Sequence, residues 1–172
     1  MKGFGEKNQS KKEKISKNKQ KVNNGQLIKK AFDLQAQGRK LEAAKYYEYL
    51  IKQGIKDYRV FSNYGIFLNE IGKHKESELK LKKAISLNPK YANAYYNLGF
   101  ILKDLGRLKE SDSYHQKTLE IDPHFTDAYL SLSTMYSGDE TTKWYNQLFS
   151  ESLLKNKNNR ELANIFFARS NI

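Results

Sequence analysis

The chain has 172 residues, a net charge of +12 and no cysteine. Disulfides and thiolate metal sites are therefore excluded, and the composition suits the reducing cytoplasm. No apolar run approaches the roughly 18 residues of a membrane-spanning helix, and the N-terminus lacks the apolar stretch of a secretory signal.

Residues 1–24 read as a basic disordered tail. Eight lysines stand against two acids there, a net +6, which is half the charge of the chain. Phe4, Ile15 and Val22 are isolated among polar residues, too few to offset the entropy of ordering. The segment is either a solubilising extension or a contact to nucleic acid, an acidic protein or an anionic lipid surface. One aromatic and no arginine argue against specific base reading.

From residue 25 the punctuation recurs at a fixed period. Gly65 and Gly99, Gly72 and Gly106, Glu76 and Glu110, and Pro89 and Pro123 are each 34 residues apart. Gly38 and Glu42 lie one period upstream of Gly72 and Glu76. This divides the array 25–155 into repeats near 25–57, 58–91 and 92–125, with a degenerate fourth at 126–155. Within 92–125, Tyr95, Leu98, Ile101, Leu102 and Leu105 follow helical spacing up to Gly106, a left-handed C-terminal stop. Leu108, Tyr114, His115, Thr118, Leu119 and Ile121 carry a second helix to Asp122-Pro123, where proline ends it. Mid-helix Gly65 and Gly99 cost about 1 kcal/mol each against alanine, tolerable where a partner helix comes close. Small residues at Ala43, Ser77 and Ser111 are expected to face them.

The fourth unit places a first helix with Ala128-Tyr129, Leu132 and Tyr136, and a second with Trp144, Leu148 and Leu153. Its turn motif is missing. Residues 156–172 form a polar loop and a C-terminal helix expected to be unpaired. Its Phe166 and Phe167 predict an exposed apolar end and self-association or a further partner.

Tyr95, Leu98-Gly99, Gly106-Arg107-Leu108-Lys109-Glu110-Ser111 and Pro123 resemble the tetratricopeptide repeat (TPR) pattern, with serine where alanine is usual. The resemblance implies an all-α solenoid of antiparallel helix pairs in a right-handed superhelix, cytoplasmic and acting in protein binding as a scaffold. Its first helices would line a concave face. Carried onto this sequence, that face offers Arg59, Asn63, Ile66, Asn69, Asn93, Tyr96, Asn97, Phe100 and Lys103 as partner-binding residues. Asn63 and Asn97 could hold an extended peptide backbone, since an amide both donates and accepts, or could bridge neighbouring helices. The family's clamp for chaperone-tail carboxylates needs lysine and asparagine where Ile28 and Phe32 stand, and basic residues where Asn93 and Asn97 stand, so no such clamp is expected. The opening Met1-Lys2-Gly3-Phe4-Gly5 and the lysine- and asparagine-rich tail are similar to longer bacterial TPR proteins whose array precedes a sulfotransferase-like domain. That resemblance implies the repeat portion of such a protein, a truncated targeting module, because no phosphosulfate-binding loop occurs in the sequence.

No catalytic set emerges. His74, His115 and His124 show no helical metal-pair spacing, and there is no phosphate-cradling glycine loop. The expectation is a protein without enzymatic activity, metal or cofactor. Its partner is a protein or peptide, with nucleic acid or a ribosome-associated role through residues 1–24 as the alternative.

Overall fold

The computed structural model describes residues 23–135 and 143–172. The reading of residues 1–22 as a disordered tail lies outside these residues. Asn23 and Asn24, the last two residues assigned to the tail, already belong to a helix.

Every regular element among the described residues is helical. Helix α1 covers residues 23–36. It is followed by α2 (Lys40–Lys52), α3 (Tyr58–Glu70), α4 (His74–Leu87), α5 (Ala92–Asp104) and α6 (Leu108–Ile121). Then come α7 (Thr126–Ser133), α8 (Lys143–Leu148), a 3-10 turn (Glu151–Leu154) and α9 (Asn159–Ser170). Consecutive helices pack on one another from α2 to α7, giving the antiparallel helix pairs of an α-solenoid.

The local chemistry explains the boundaries. Gly72 and Gly106 sit at φ +77° and +73°, the left-handed region that closes α3 and α5. Helices α4 and α6 end before Asn88-Pro89 and Asp122-Pro123. There the Asn88 and Asp122 side chains accept from the backbone N–H of Lys90 (3.1 Å) and His124 (2.9 Å). The second helices begin without a side-chain cap. Instead a basic residue at the N-cap pairs with a glutamate in the first turn: Arg39–Glu42 (2.6 Å), Lys73–Glu76 (3.2 Å) and Arg107–Glu110 (2.6 Å). Each glutamate lies at the positive end of its helix dipole. All three pairs are exposed, so each adds little stability.

Both mid-helix glycines let a second helix come close. A Cβ at Gly65 would lie 3.4 Å from the Ser77 carbonyl oxygen and only 3.0 Å from Leu81 Cγ, so a large residue shares that contact with the small one. At Gly99 a Cβ would lie 2.9 Å from His115 Cε1. The small residues act on the neighbouring carbonyls. Ser77 Oγ donates to Gly65 O (2.6 Å) and Ser111 Oγ donates to Gly99 O (2.7 Å). Both hydroxyls are buried, which gives the serines a bonding role that the usual alanine lacks.

The C-terminal part departs from expectation. Trp144, Leu148 and Leu153 are buried as foreseen, but they belong to the short α8 and a 3-10 turn rather than to one long second helix. Helix α9 is not unpaired. Its Ile165 and Ala168 join Tyr129, Leu132, Trp144, Leu148 and Leu153 in one core, and Asn164 Nδ2 donates to Asp127 Oδ1 (2.6 Å). The apolar spacing of α9 contains two faces, and the sequence pattern does not say which one the preceding unit covers. The Phe166–Phe167 face is the one left bare, at 54% and 59% exposure.

Candidate functional site

The first helices α3 and α5 run side by side and enclose a shallow cleft of about 260 Å³. Ile66, Asn69 and Glu70 form one wall; Tyr96, Asn97, Phe100 and Ile101 form the other. The helical spacing places these residues together: 66, 69 and 70, like 96, 97, 100 and 101, share one face at i, i+3 and i+4.

Of the nine residues proposed from the sequence, five line this cleft: Ile66, Asn69, Tyr96, Asn97 and Phe100. They differ in availability. Asn69 Oδ1 is engaged with His74 Nδ1 at 2.7 Å, so it fastens the α3–α4 turn. Tyr96 packs against Phe125 and His115, with ring centroids at 4.9 and 5.4 Å. Burial pushes its phenol pKa up, opposed by a hydrogen bond with Ser131. Phe100 is 44% exposed. Asn97 is half-buried, and its amide makes no side-chain hydrogen bond among the described residues.

The other four lie elsewhere. Asn63 occupies the neighbouring cleft between α3 and α2, to which α1 adds Gln35 and which shares Ile66 and Glu70. Its Nδ2 donates to Tyr47 Oη (3.4 Å), and Tyr47 Oη in turn donates to Gln35 Oε1. Burial raises the Tyr47 phenol pKa to about 12, so that hydroxyl keeps its proton. Asn63 thus bridges repeats, which is the structural one of its two readings. Arg59 is exposed at the start of α3, bound to Asp57 (2.6 Å) with its guanidinium 5.3 Å from the Phe32 ring centroid. Asn93 is exposed near the start of α5. Lys103 Nζ donates to Thr134 Oγ1 (2.7 Å), a contact from α5 to the end of α7.

Glu70 belongs to the same concave register as Ile66 and Asn69, beyond the nine partner-binding residues. It closes one end of the cleft and pairs with Lys40 Nζ (2.6 Å). The only signal for it is that register. No cluster of three or more histidine, aspartate or glutamate side chains among the described residues could hold a metal ion. No helix among them is long and apolar enough to cross a membrane.

Two family descriptions match the chain: "TPR repeat" over residues 68–106 and "Tetratricopeptide repeat" over residues 92–125. Residues 68–125 are tetratricopeptide repeats. Among solved structures, MamA is similar over 87% of this chain and 78% of its own, at 21% identity and TM-score 0.64. The first TPR domain of Spaghetti (RPAP3), bound to the HSP90 peptide SRMEEVD, is similar over 65% of this chain and 89% of its own, at 22% identity and TM-score 0.61. An O-GlcNAc transferase mutant from Thermobaculum terrenum aligns with 66% of this chain but only 22% of its own, at 21% identity and TM-score 0.62. At these identities the TPR likeness is one of fold. No curated protein matches the chain.

Proposed function

We propose that this TPR array is a non-catalytic interaction module and that the α3–α5 cleft holds an extended peptide segment. The observation that carries the reading is Asn97. Its amide lies in an open cleft with no side-chain hydrogen bond among the described residues, between the apolar Ile66 and the exposed ring of Phe100. One amide can accept a peptide N–H and donate to a peptide carbonyl, while the flanking apolar groups take a side chain. The peptide-bound RPAP3 domain supports the use of such a fold for peptide capture. Its carboxylate-terminated ligand is not expected here, because Ile28, Phe32, Asn93 and Asn97 supply no cation at the clamp positions.

The test is a lysate pull-down read by mass spectrometry, with the whole chain, residues 25–172 and the Asn97→Ala variant as baits at two salt concentrations. Proteins that bind the first two and are lost with Asn97→Ala support the cleft. Binding that follows residues 1–24 and fails at higher salt would transfer the function to the lysine-rich tail, the nucleic-acid or anionic-surface reading. Identical capture by all three baits at both salts would refute both.

A further inference from the structure

Helix α9 continues the period of the array. Helices α3, α5, α7 and α9 begin at 58, 92, 126 and 159, so α9 stands where a fifth first helix would. Its chemistry at that register is different. In α3 and α5 the residue facing the helix's own second helix is Gly65 or Gly99, and at the same register of α7 stands Ser133. A second helix comes so close to Gly99 that even a Cβ would lie 2.9 Å from His115. In α9 the corresponding residue, again seven after the helix start, is Phe166, 54% exposed. A second helix of the ordinary kind cannot pack there.

We propose that this face instead pairs with the same face of a second copy of the chain, the two α9 helices running antiparallel about a two-fold axis. Ala163, Phe166, Phe167 and Ser170 are all exposed and fall at i, i+3, i+4 and i+7, a single stripe. The stripe is small–large–large–small, hence palindromic in size about the point between Phe166 and Phe167. An isologous interface requires such self-complementarity, since each residue must meet the partner's counterpart across the axis. Phe166 then meets the partner's Phe167, and Ala163 lies opposite the partner's Ser170. The stripe carries no charged side chain, so no like charges oppose each other, and antiparallel helix dipoles attract. Phe149, 45% exposed, widens the patch. Arg169 borders the stripe between these rings, its guanidinium 5.9 Å from the Phe166 centroid and 5.4 Å from that of Phe149, and it is held there by donating to Leu148 O (2.8 Å). The patch is smaller than a standard stable interface, so the dimer is weak, with a dissociation constant on the order of 10 µM.

The test is analytical ultracentrifugation of the full chain over a series reaching about 200 µM, well above the range expected for so small a patch. The wild type is expected to double in mass across the series, and Phe166→Ser/Phe167→Ser to remain monomeric with an unchanged helical melt. Because the chain lacks cysteine, register can be read directly. Chains carrying Ala163→Cys, mixed with chains carrying Ser170→Cys, are expected to form a disulfide-linked heterodimer, while neither crosslinks alone. A wild type monomeric throughout, a double variant that still dimerises, or Ser170→Cys crosslinking by itself as well as in the mixture would each overturn the proposal.

Discussion

Replacing His115 by leucine should stabilise the protein, and more so in acid. His115 is fully buried in α6, and neither ring nitrogen has a hydrogen-bond partner. Leaving a buried polar group unsatisfied costs about 1–3 kcal/mol. The equivalent residue one period earlier is Leu81, which packs against Gly65 as His115 packs against Gly99, so leucine is already accommodated by this geometry. The variant gives up the ring contact with Tyr96 (5.4 Å), worth about 0.5–1 kcal/mol. The net gain at pH 7.5 is about 1 kcal/mol, or roughly 2–4 °C in Tm for a chain of this size. Acid adds a second effect. Burial, helped by Lys103, lowers the His115 pKa from 6.5 to about 4. The unfolded chain therefore binds more protons between those values, and the stability held above pH 6.5 is lost as pH falls towards 4. By pH 5 the wild type should have lost about 2 kcal/mol through this one group, a loss leucine cannot suffer. The assay is urea denaturation of both proteins at pH 7.5 and pH 5, taken as a difference so that other titrating groups cancel. A stability difference that does not widen in acid would show that the imidazole is solvated or protonated in the fold, and the reasoning would fail.

Further substitutions probe the same packing. Gly99→Ala puts a methyl 2.9 Å from the imidazole and should cost about 1–3 kcal/mol in the same denaturation assay. Ser111→Ala leaves the Gly99 carbonyl without its buried 2.7 Å donor and should cost about 1 kcal/mol, although alanine is the commoner residue in TPR sequences. Asn158 and Glu161 form a reciprocal capping box at the start of α9. Asn158→Ala should cost about 1 kcal/mol and raise amide hydrogen exchange in residues 159–162 before the rest of the array.

The fold was legible because its punctuation is backbone chemistry. A left-handed φ at Gly106 and a missing N–H at Pro123 constrain the chain locally, whatever surrounds them, so their 34-residue spacing reads directly as helix ends. The site was legible only to the level of a face. Helical register put Ile66, Tyr96, Asn97 and Phe100 on one cleft, but it could not show which polar groups were already engaged. Arg59 is captured by Asp57 two residues earlier, Asn69 by His74 across a turn, and Asn63 by a tyrosine from another repeat. Such partnerships depend on side-chain reach across helices, which a one-dimensional pattern does not encode. His115 shows the same limit. Its framework position pointed to packing, but the absence of any partner for its ring nitrogens is a property of the assembled core.

The end of the array separates two things that the repeats otherwise present together. Period and interface chemistry coincide through α6, where each turn glycine and helix-end proline recurs with its packing residues. Beyond Pro123 the spacing persists, since α9 begins 33 residues after α7, while the chemistry changes. The second helix shrinks to α8 and a 3-10 turn, and Phe166 stands where close approach needs a small side chain. Backbone register is thus carried by lengths of helix and loop, and the capacity to add another unit is carried by single small residues. One bulky substitution at such a position is enough to stop propagation and convert a stacking face into a surface of a different kind. By this logic Gly65→Phe or Gly99→Phe would not merely destabilise one helix pair but divide the array there, and proteolysis of either variant should release fragments ending near the substituted repeat.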